Sequence, residues 1–307
     1  MGPSPPPDEA ALVSAIGDEL RRAGRPADLS DDCAFLRGAT QLVTTDTLIE
    51  GVHFQLDLDT LAQVGAQAAV QNLSDLAASG GGAGWLVWSL CLPPNLRTLE
   101  AVRALTRGFA ETAAQNSATV VGGNLSRMPG PLTVAVTAGG PLAGKRPLTR
   151  SGALPGDGVY LTGALGDAAL GVVEPTPAHR AARHAWRPHL AEAAILANDP
   201  GVTACMDISD GLLLDGARLA KASGVSLAVE SGAVPLGPAC AAVGERHRNL
   251  ALRGGEDYVL LFTARSCPVG LKAWRIGEIR AADPAGALFL DGRPERPGGF
   301  DHFVEAH

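Results

Sequence analysis

The alternation of apolar and polar positions divides the chain into short strand-like runs and longer helical ones. Asp8 precedes a helical pattern in which Leu12, Val13, Ile16 and Leu20 share one face, closed by Gly24 and Pro26. Gln41-Leu42-Val43 reads as a strand, and residues 60–80 as an Ala-rich helix ended by Gly80-Gly81-Gly82. Trp85 to Leu92 is a near-continuous apolar strand stopped by Pro93-Pro94, and a helix follows over about Thr98 to Gln115. Ala118 to Val121 predicts a short strand ending at Gly122-Gly123-Asn124, and Leu132 to Ala138 another. Residues 139–156, rich in Gly, Pro, Arg and Ser, read as a linker. Beyond it come a strand at Val159–Thr162, a small-residue helix at Asp167–Val173, a strand ending in Ala204-Cys205-Met206, a helix at Leu212–Ser223 and a strand after Asp257. His179, His184 and His189 sit in one helical stretch. Five residues turn a helix by about 500°, so these rings point to different faces and read as surface groups. The pattern predicts an α/β fold of the α+β type, with helices layered on sheets.

Length and composition sharpen this. A chain of 307 residues fits two domains, at 1–140 and 150–307, and 46% hydrophobic with 19% charged residues is a globular balance. A net charge of −7 without a basic run makes nucleic acid a poor partner, and 4% aromatics leave little for base stacking. The five cysteines form no CxxC pair, so neither zinc nor a disulfide frame is signalled. No apolar run approaches the roughly 20 residues that span a bilayer. The opening Met-Gly-Pro-Ser-Pro-Pro-Pro has no signal-peptide pattern, so the expected location is cytoplasmic.

Candidate chemistry gathers where strands end. Val43 leads into Thr44, Thr45 and Asp46, then Gly51 and His53; oxygen donors at a strand end suit a hard cation, although a hydrogen-bonded turn accounts for them as well. Asp31-Asp32 precedes a second apolar run. Asn72 and Asp75, at i and i+3, can share a helix face, and Asp75 among Leu73, Leu76 and Ala77 is a buried carboxylate in need of a partner. Asp207-Ile208-Ser209-Asp210-Gly211 repeats the design: Ser209 or Asp210 fits a helix cap, which leaves Asp207 over. Gly254-Gly255-Glu256-Asp257 sets two acids before a buried strand. Gly139 to Arg146 is nearly a phosphate-binding GxxxxGK[ST] loop, but Arg146 replaces the hydroxyl and no helix pattern follows.

Taken in order, these blocks resemble the thiamine-monophosphate kinases, a family within the aminoimidazole-ribonucleotide-synthetase-like superfamily. The matching segments are Asp31-Asp32-Cys33-Ala34, Thr44-Thr45-Asp46 with Glu50 to Phe54, Asn72 to Ala78, Leu148 to Ala153, Asp207 to Leu212, Gly254 to Tyr258, and Phe300-Asp301-His302-Phe303. The resemblance implies a two-domain AIR-synthetase-like fold. Its N-terminal sheets would form a β-barrel between the subunits of a homodimer, followed by a C-terminal α/β domain. It also implies transfer of a phosphoryl group from ATP to thiamine monophosphate, with several Mg²⁺ ions. By position Asp32, Thr44, Thr45, Asp46, Asp75, Asn124, Asp207 and Asp210 would be metal ligands. Gly123, Asn124, Arg150 and Ser209 would meet ATP, and His53, Glu256 and Phe300 the thiamine phosphate. The acceptor is itself a phosphate, largely dianionic at neutral pH, so no general base is expected.

Two positions depart from the family pattern. Asn124 stands where Gly-Gly-Asp is usual, which removes a charge from one ion's surroundings, and Ser30 replaces a glycine. The alternatives are another ATP-dependent enzyme of the superfamily, or a binding homologue impaired by Asn124.

Overall fold

The computed structural model describes residues 9–22, 31–36, 38 and 40–300. The expected cap at Asp8, the substituted Ser30 and the Asp301-His302-Phe303 block lie outside them. The first half comprises α1 (Glu9–Arg22), β1 (Ala34–Leu36), β2 (Gln41–Ile49), α2 (Leu61–Ala78), β3 (Trp85–Leu92), α3 (Leu99–Gln115), β4 (Thr119–Arg127) and β5 (Thr133–Pro141). The second comprises β6 (Gly158–Leu161), α4 (Asp167–Val173), α5 (Pro177–Arg183), α6 (Leu190–Asn198), β7 (Val202–Ile208), α7 (Leu212–Ser223), β8 (Ser226–Val229), α8 (Pro238–Val243), α9 (Arg248–Arg253), β9 (Val259–Ala264), β10 (Trp274–Arg280), β11 (Leu288–Leu290) and β12 (Arg293–Pro294).

The strands form two sheets, a five-stranded one in the order β1-β2-β5-β3-β4 and a seven-stranded one in the order β12-β11-β8-β10-β6-β9-β7. Alternate side chains of the first sheet, including Leu42, Leu48, Leu86, Leu90, Val134 and Val136, turn inward against α2 and α3. Trp88 of β3 stacks on Phe109 of α3 with ring centroids 4.4 Å apart. The opposite face of this sheet carries no helix among the described elements, and β4 is exposed along its whole length.

Helix α2 joins the two halves. Thr60 and Gln63 close a reciprocal capping box at its start. Its body packs on β2 and β5, while Ala77 and Ala78 at its far end enter a core with Tyr160, Leu196, Cys205 and Phe262 of the second half. The Ala-rich composition permits this double burial, because small side chains let backbone approach on every side.

Four expectations are corrected. The strand at Gln41-Leu42-Val43 does not end there; β2 runs on through Thr44, Thr45 and Asp46 to Ile49, paired with β5 throughout. Strand β4 does not stop at Gly122-Gly123-Asn124 but runs through them to Arg127, paired in parallel with β3. The expected linker is packed: Leu148 and Ala153 are buried, and β5 extends to Pro141. The histidine stretch is two helices, since Pro188 cannot continue a helix and holds its predecessor extended. His184 and His189 are therefore not surface groups. His184 meets the Asp59 carboxylate at 2.7 Å and is part-buried, and His189 meets the Thr162 hydroxyl at 2.9 Å and is buried.

Candidate active site

Asp32, Asp75 and Asp207 each place a carboxylate oxygen within 4.8 Å of the others. They come from three elements: the segment before β1, the last turn of α2 and the end of β7. Asp75 accepts from the Thr44 hydroxyl at 2.6 Å, and Asp207 from the buried Ser74 hydroxyl at 2.6 Å. Asp32 is bound by the Arg150 guanidinium, whose charge is further secured because Asp32 more than offsets its burial. Burial, followed by the charges of Asp46, Asp207 and Asp32, pushes the Asp75 carboxyl well above its ordinary range. Burial and Asp32 do the same to Asp207. Asp75 also lies at a helix C-terminus, where the backbone dipole disfavours negative charge. Three acids so arranged are deficient in positive charge, and oxygen-only donors fit a hard divalent cation.

Asp46 follows Thr44 by two residues on β2, hence on the same face, near enough to act on Asp75. Thr45 faces the other way and bonds the Val136 carbonyl at 2.9 Å, so its side chain is not brought to the cluster. Asn124 is farther still. It pairs with Ser89, Ser89 with Ala135, and Ala135 with Thr47. Three strand spacings, about 14 Å, separate Asn124 from β2. Gly123 lies beside it against Trp88, on the same exposed strand. Asn72 does not join Asp75 either; its amide turns back to the Ala68 carbonyl at 3.0 Å.

The turn after β7 is held by Asp215, which sequence reasoning missed. One of its carboxylate oxygens accepts from the backbone N–H groups of Ser209, Asp210 and Gly211 at 3.2, 2.9 and 3.0 Å. Burial and Asp210 push the Asp215 carboxyl up to about 7, and Arg218 opposes this by pairing with both acids. An acid in the first turn of α7 was the available signal.

The loop 254–258 closes against that turn. Glu256 N–H donates to the Ser209 carbonyl at 2.8 Å and Tyr258 N–H to the Ile208 carbonyl at 2.9 Å. A Cβ at Gly255 would stand 2.2 Å from the Ser209 oxygen, so only glycine admits the approach. Glu256 and Tyr258 have φ of 68° and 52°, left-handed values that non-glycine residues adopt only where their surroundings impose them. Burial raises the Glu256 carboxyl to about 7 against the pull of Arg183. His53 accepts from Ile49 N–H through Nδ1 at 3.0 Å, which puts the ring proton on Nε2. Phe300 is part-exposed, and its N–H meets the Asp210 carbonyl at 2.9 Å.

Gln67 and Ser74 mark the spacing of the whole. They are seven residues apart on one face of α2, a rise of about 10 Å. Gln67 binds Glu256 at 2.6 Å and Ser74 binds Asp207.

Comparison with known proteins adds kinship to this geometry. Residues 30–142 match the family model described as AIR synthase related protein, N-terminal domain. The thiamine-monophosphate kinase of Salmonella typhimurium is 34% identical, with 96% of this chain and 98% of that protein aligned. A solved structure, AaThiL complexed with AMPPCP and TMP, superposes with a TM-score of 0.84 at 32% identity, covering 96% of this chain and 97% of the other. Escherichia coli HypE, a hydrogenase maturation protein, shares the fold at 20% identity and a TM-score of 0.68, over 96% of this chain and 99% of its own.

Proposed function

The chain belongs to the thiamine-monophosphate kinase family, and we propose on that premise how its residues divide the work. It is a phosphotransferase that phosphorylates thiamine monophosphate at the expense of ATP. The observation that carries the division of labour is the Asp32–Asp75–Asp207 cluster. Asp32, Asp75 and Asp207, with Asp46, Thr44 and Asp210 nearby, would hold Mg²⁺. The metal, when bound, supplies charge neutralisation for the transferred phosphoryl group and orients it for in-line transfer. Ser74 and Thr44 hold two of the carboxylates in place. Arg150 stands at the rim, on Asp32, where a basic group can also meet a nucleotide phosphate. Ser209 presents its hydroxyl from the turn that Asp215 fixes. The acceptor lies toward the other end of the α2 face, with His53, Glu256 and Phe300 around its thiamine portion. The spacing of about 10 Å along α2 suits a substrate whose phosphate and ring system must be held apart.

A homodimer through the first sheet belongs to the same reading. All nine residues of β4 are exposed, and Val121 and Leu125 are 59% and 62% exposed. A long apolar edge strand is a template for pairing with another chain. The helix-free face of the sheet would line the barrel so formed. Gly123 and Asn124, on that edge, are then read as reaching the nucleotide of a second copy. Two domains meeting at α2, and a cytoplasmic location, complete the proposal.

The test is formation of ADP and thiamine diphosphate from ATP and thiamine monophosphate across a Mg²⁺ series, with Asp75→Asn as control. Turnover that survives removal of divalent metal overturns the metal assignment. Leu125→Asp should shift the native mass to that of one chain in light scattering; an unchanged mass overturns the interface.

A further inference from the structure

Arg183 ends α5 with its guanidinium 3% exposed. A Cβ at Gly171 would stand 2.5 Å from Arg183 Cβ, so α4 leaves room for this stem. The guanidinium touches no member of the carboxylate cluster. Its Nη2 lies 3.2 Å from Glu256 Oε2, 3.4 Å from the His53 carbonyl and 3.5 Å from Asp59 Oδ2. Asp59 is bound in turn by His184 and by Gln55 N–H at 2.9 Å. These bonds and the Arg183 charge outweigh burial and hold its carboxyl below the usual range. Gln67 of α2 reaches the other Glu256 oxygen and the same His53 carbonyl. One buried cation thus ties together the two segments read as the acceptor site, at residues 50–54 and 254–258.

We propose that Arg183 is a positioning residue for the acceptor site, setting the aim of Glu256 and His53 without touching the reacting phosphates. The inference rests on the reading under Proposed function. A carboxylate has about four lone-pair sites. Arg183 and Gln67 occupy one on each Glu256 oxygen, and the remaining ones stay available to a ligand that donates hydrogen bonds or carries positive charge. Thiamine monophosphate offers both, a cationic thiazolium and an aminopyrimidine. Glu256 keeps a left-handed backbone that relaxes unless its surroundings hold it. Removing the guanidinium frees both the carboxylate and the strained loop that presents it. The nucleotide end, about 10 Å along α2, keeps its own ties through Ser74, Thr44 and Asp215.

The experiment is steady-state kinetics on the full chain with each substrate varied in turn, for wild type, Arg183→Gln and Arg183→Lys. Arg183→Gln should raise KM for thiamine monophosphate about tenfold, while kcat and KM for ATP stay within about twofold. Arg183→Lys, which keeps the charge but not the fork, should recover part of the loss. If Arg183→Gln does not fold, Arg183→Lys carries the test: its effect on KM should shrink below about twofold when Glu256 is already Gln, because coupled residues are not additive. Equal rises in both KM values, a fall in kcat alone, or full additivity with Glu256→Gln overturns the proposal and leaves the kinase reading standing. A wild-type protein that makes no thiamine diphosphate removes the kinase reading, and this inference with it.

Discussion

Two buried acidic clusters lie along the same face of α2, and they are neutralised in opposite ways. Around Glu256 and Asp59 the chain supplies its own cation, Arg183, along with His184 and Gln67. Around Asp75 and Asp207 it supplies hydroxyls, and its nearby guanidinium, Arg150, is spent on Asp32. The consequence is visible in Asp59, held below the ordinary carboxylate range, and in Asp75 and Asp207, pushed well above it; Glu256, which burial raises to about 7 against the pull of Arg183, stands between. Burial alone does not mark a site for metal. A carboxylate that the chain fully neutralises, as it does Asp59, is framework, and one left short of positive charge awaits it from outside.

The largest effect that tests this contrast comes from Asp75. Asp75→Asn removes a charge from the deficient cluster and keeps the shape. Turnover should fall by two or more orders of magnitude, about 3 kcal/mol or more of transition-state stabilisation. The metal-free protein should nonetheless become more stable, by about 1–2 kcal/mol, since the variant no longer carries the repulsion. The pH dependence has a definite sign. Asp75 and Asp207 have folded pKa values above their unfolded ones, so the folded chain binds the extra protons. Metal-free stability should therefore decline as pH rises from about 4 through the folded values, and Mg²⁺ should restore it most at the high end. Melting temperatures of both proteins from pH 5 to 8, with chelator or with Mg²⁺, check this; a less stable metal-free Asp75→Asn would remove the contrast.

The deficient cluster was the more legible of the two in the sequence. Two of its segments announce themselves, Asp207-Ile208-Ser209-Asp210 at the end of β7 and Thr44-Thr45-Asp46, although the latter lies within β2 and not at a strand end. α2, β3, α3 and α7 were read nearly to the residue, because helical period, proline stops and capping hydroxyls are local signals. The compensated cluster was not legible. Arg183 follows two alanines in a short helix, Asp59 sits in a turn, and their meeting depends on where the packing of α5 on α4 carries the end of α5. Pro188 was the overlooked local cue: it breaks the histidine stretch and lets His184 and His189 turn inward. β4 misled for the opposite reason. Two glycines suggest a strand end, yet an exposed edge strand accommodates them, and at Gly123 a side chain would run into Trp88.

Asp215 sharpens the comparison at intermediate size. It stands beside the deficient cluster and is compensated by hydrogen bonds rather than by charge alone: three backbone N–H groups and Arg218 surround it, although burial and Asp210 still push its carboxyl up to about 7. Asp215→Ala should destabilise the protein by about 3 kcal/mol, because those donors lose their acceptor in a buried turn. Asp215→Asn keeps one acceptor oxygen and should cost about 1 kcal/mol. Chemical denaturation of the metal-free proteins measures both. The sign is opposite to that for Asp75→Asn, although both remove a buried negative charge from the same neighbourhood. If Asp215→Asn is stabilising too, simple charge excess governs the whole region and the distinction between framework and leftover acids fails.

Asn124 gives the smallest effect and tests whether the deficit extends beyond one chain. It is an uncharged residue on an exposed edge strand, about 14 Å across the sheet from β2. Its side chain bonds Ser126 at 3.1 Å, so Asn124→Asp disturbs no core. Stability should change by less than about 0.5 kcal/mol, as for other surface substitutions. If this edge faces the nucleotide of a second copy, the added carboxylate supplies a charged oxygen to an ion that an amide holds weakly. The Mg²⁺ concentration for half-maximal turnover should then drop by about threefold to tenfold, with little change in kcat at saturating metal. The same drop should vanish in a Leu125→Asp background that keeps the chains apart. An unchanged Mg²⁺ dependence would mean that the acids around Asp75 make up the whole demand for cations, and that Asn124 is a surface residue of the edge strand and nothing more.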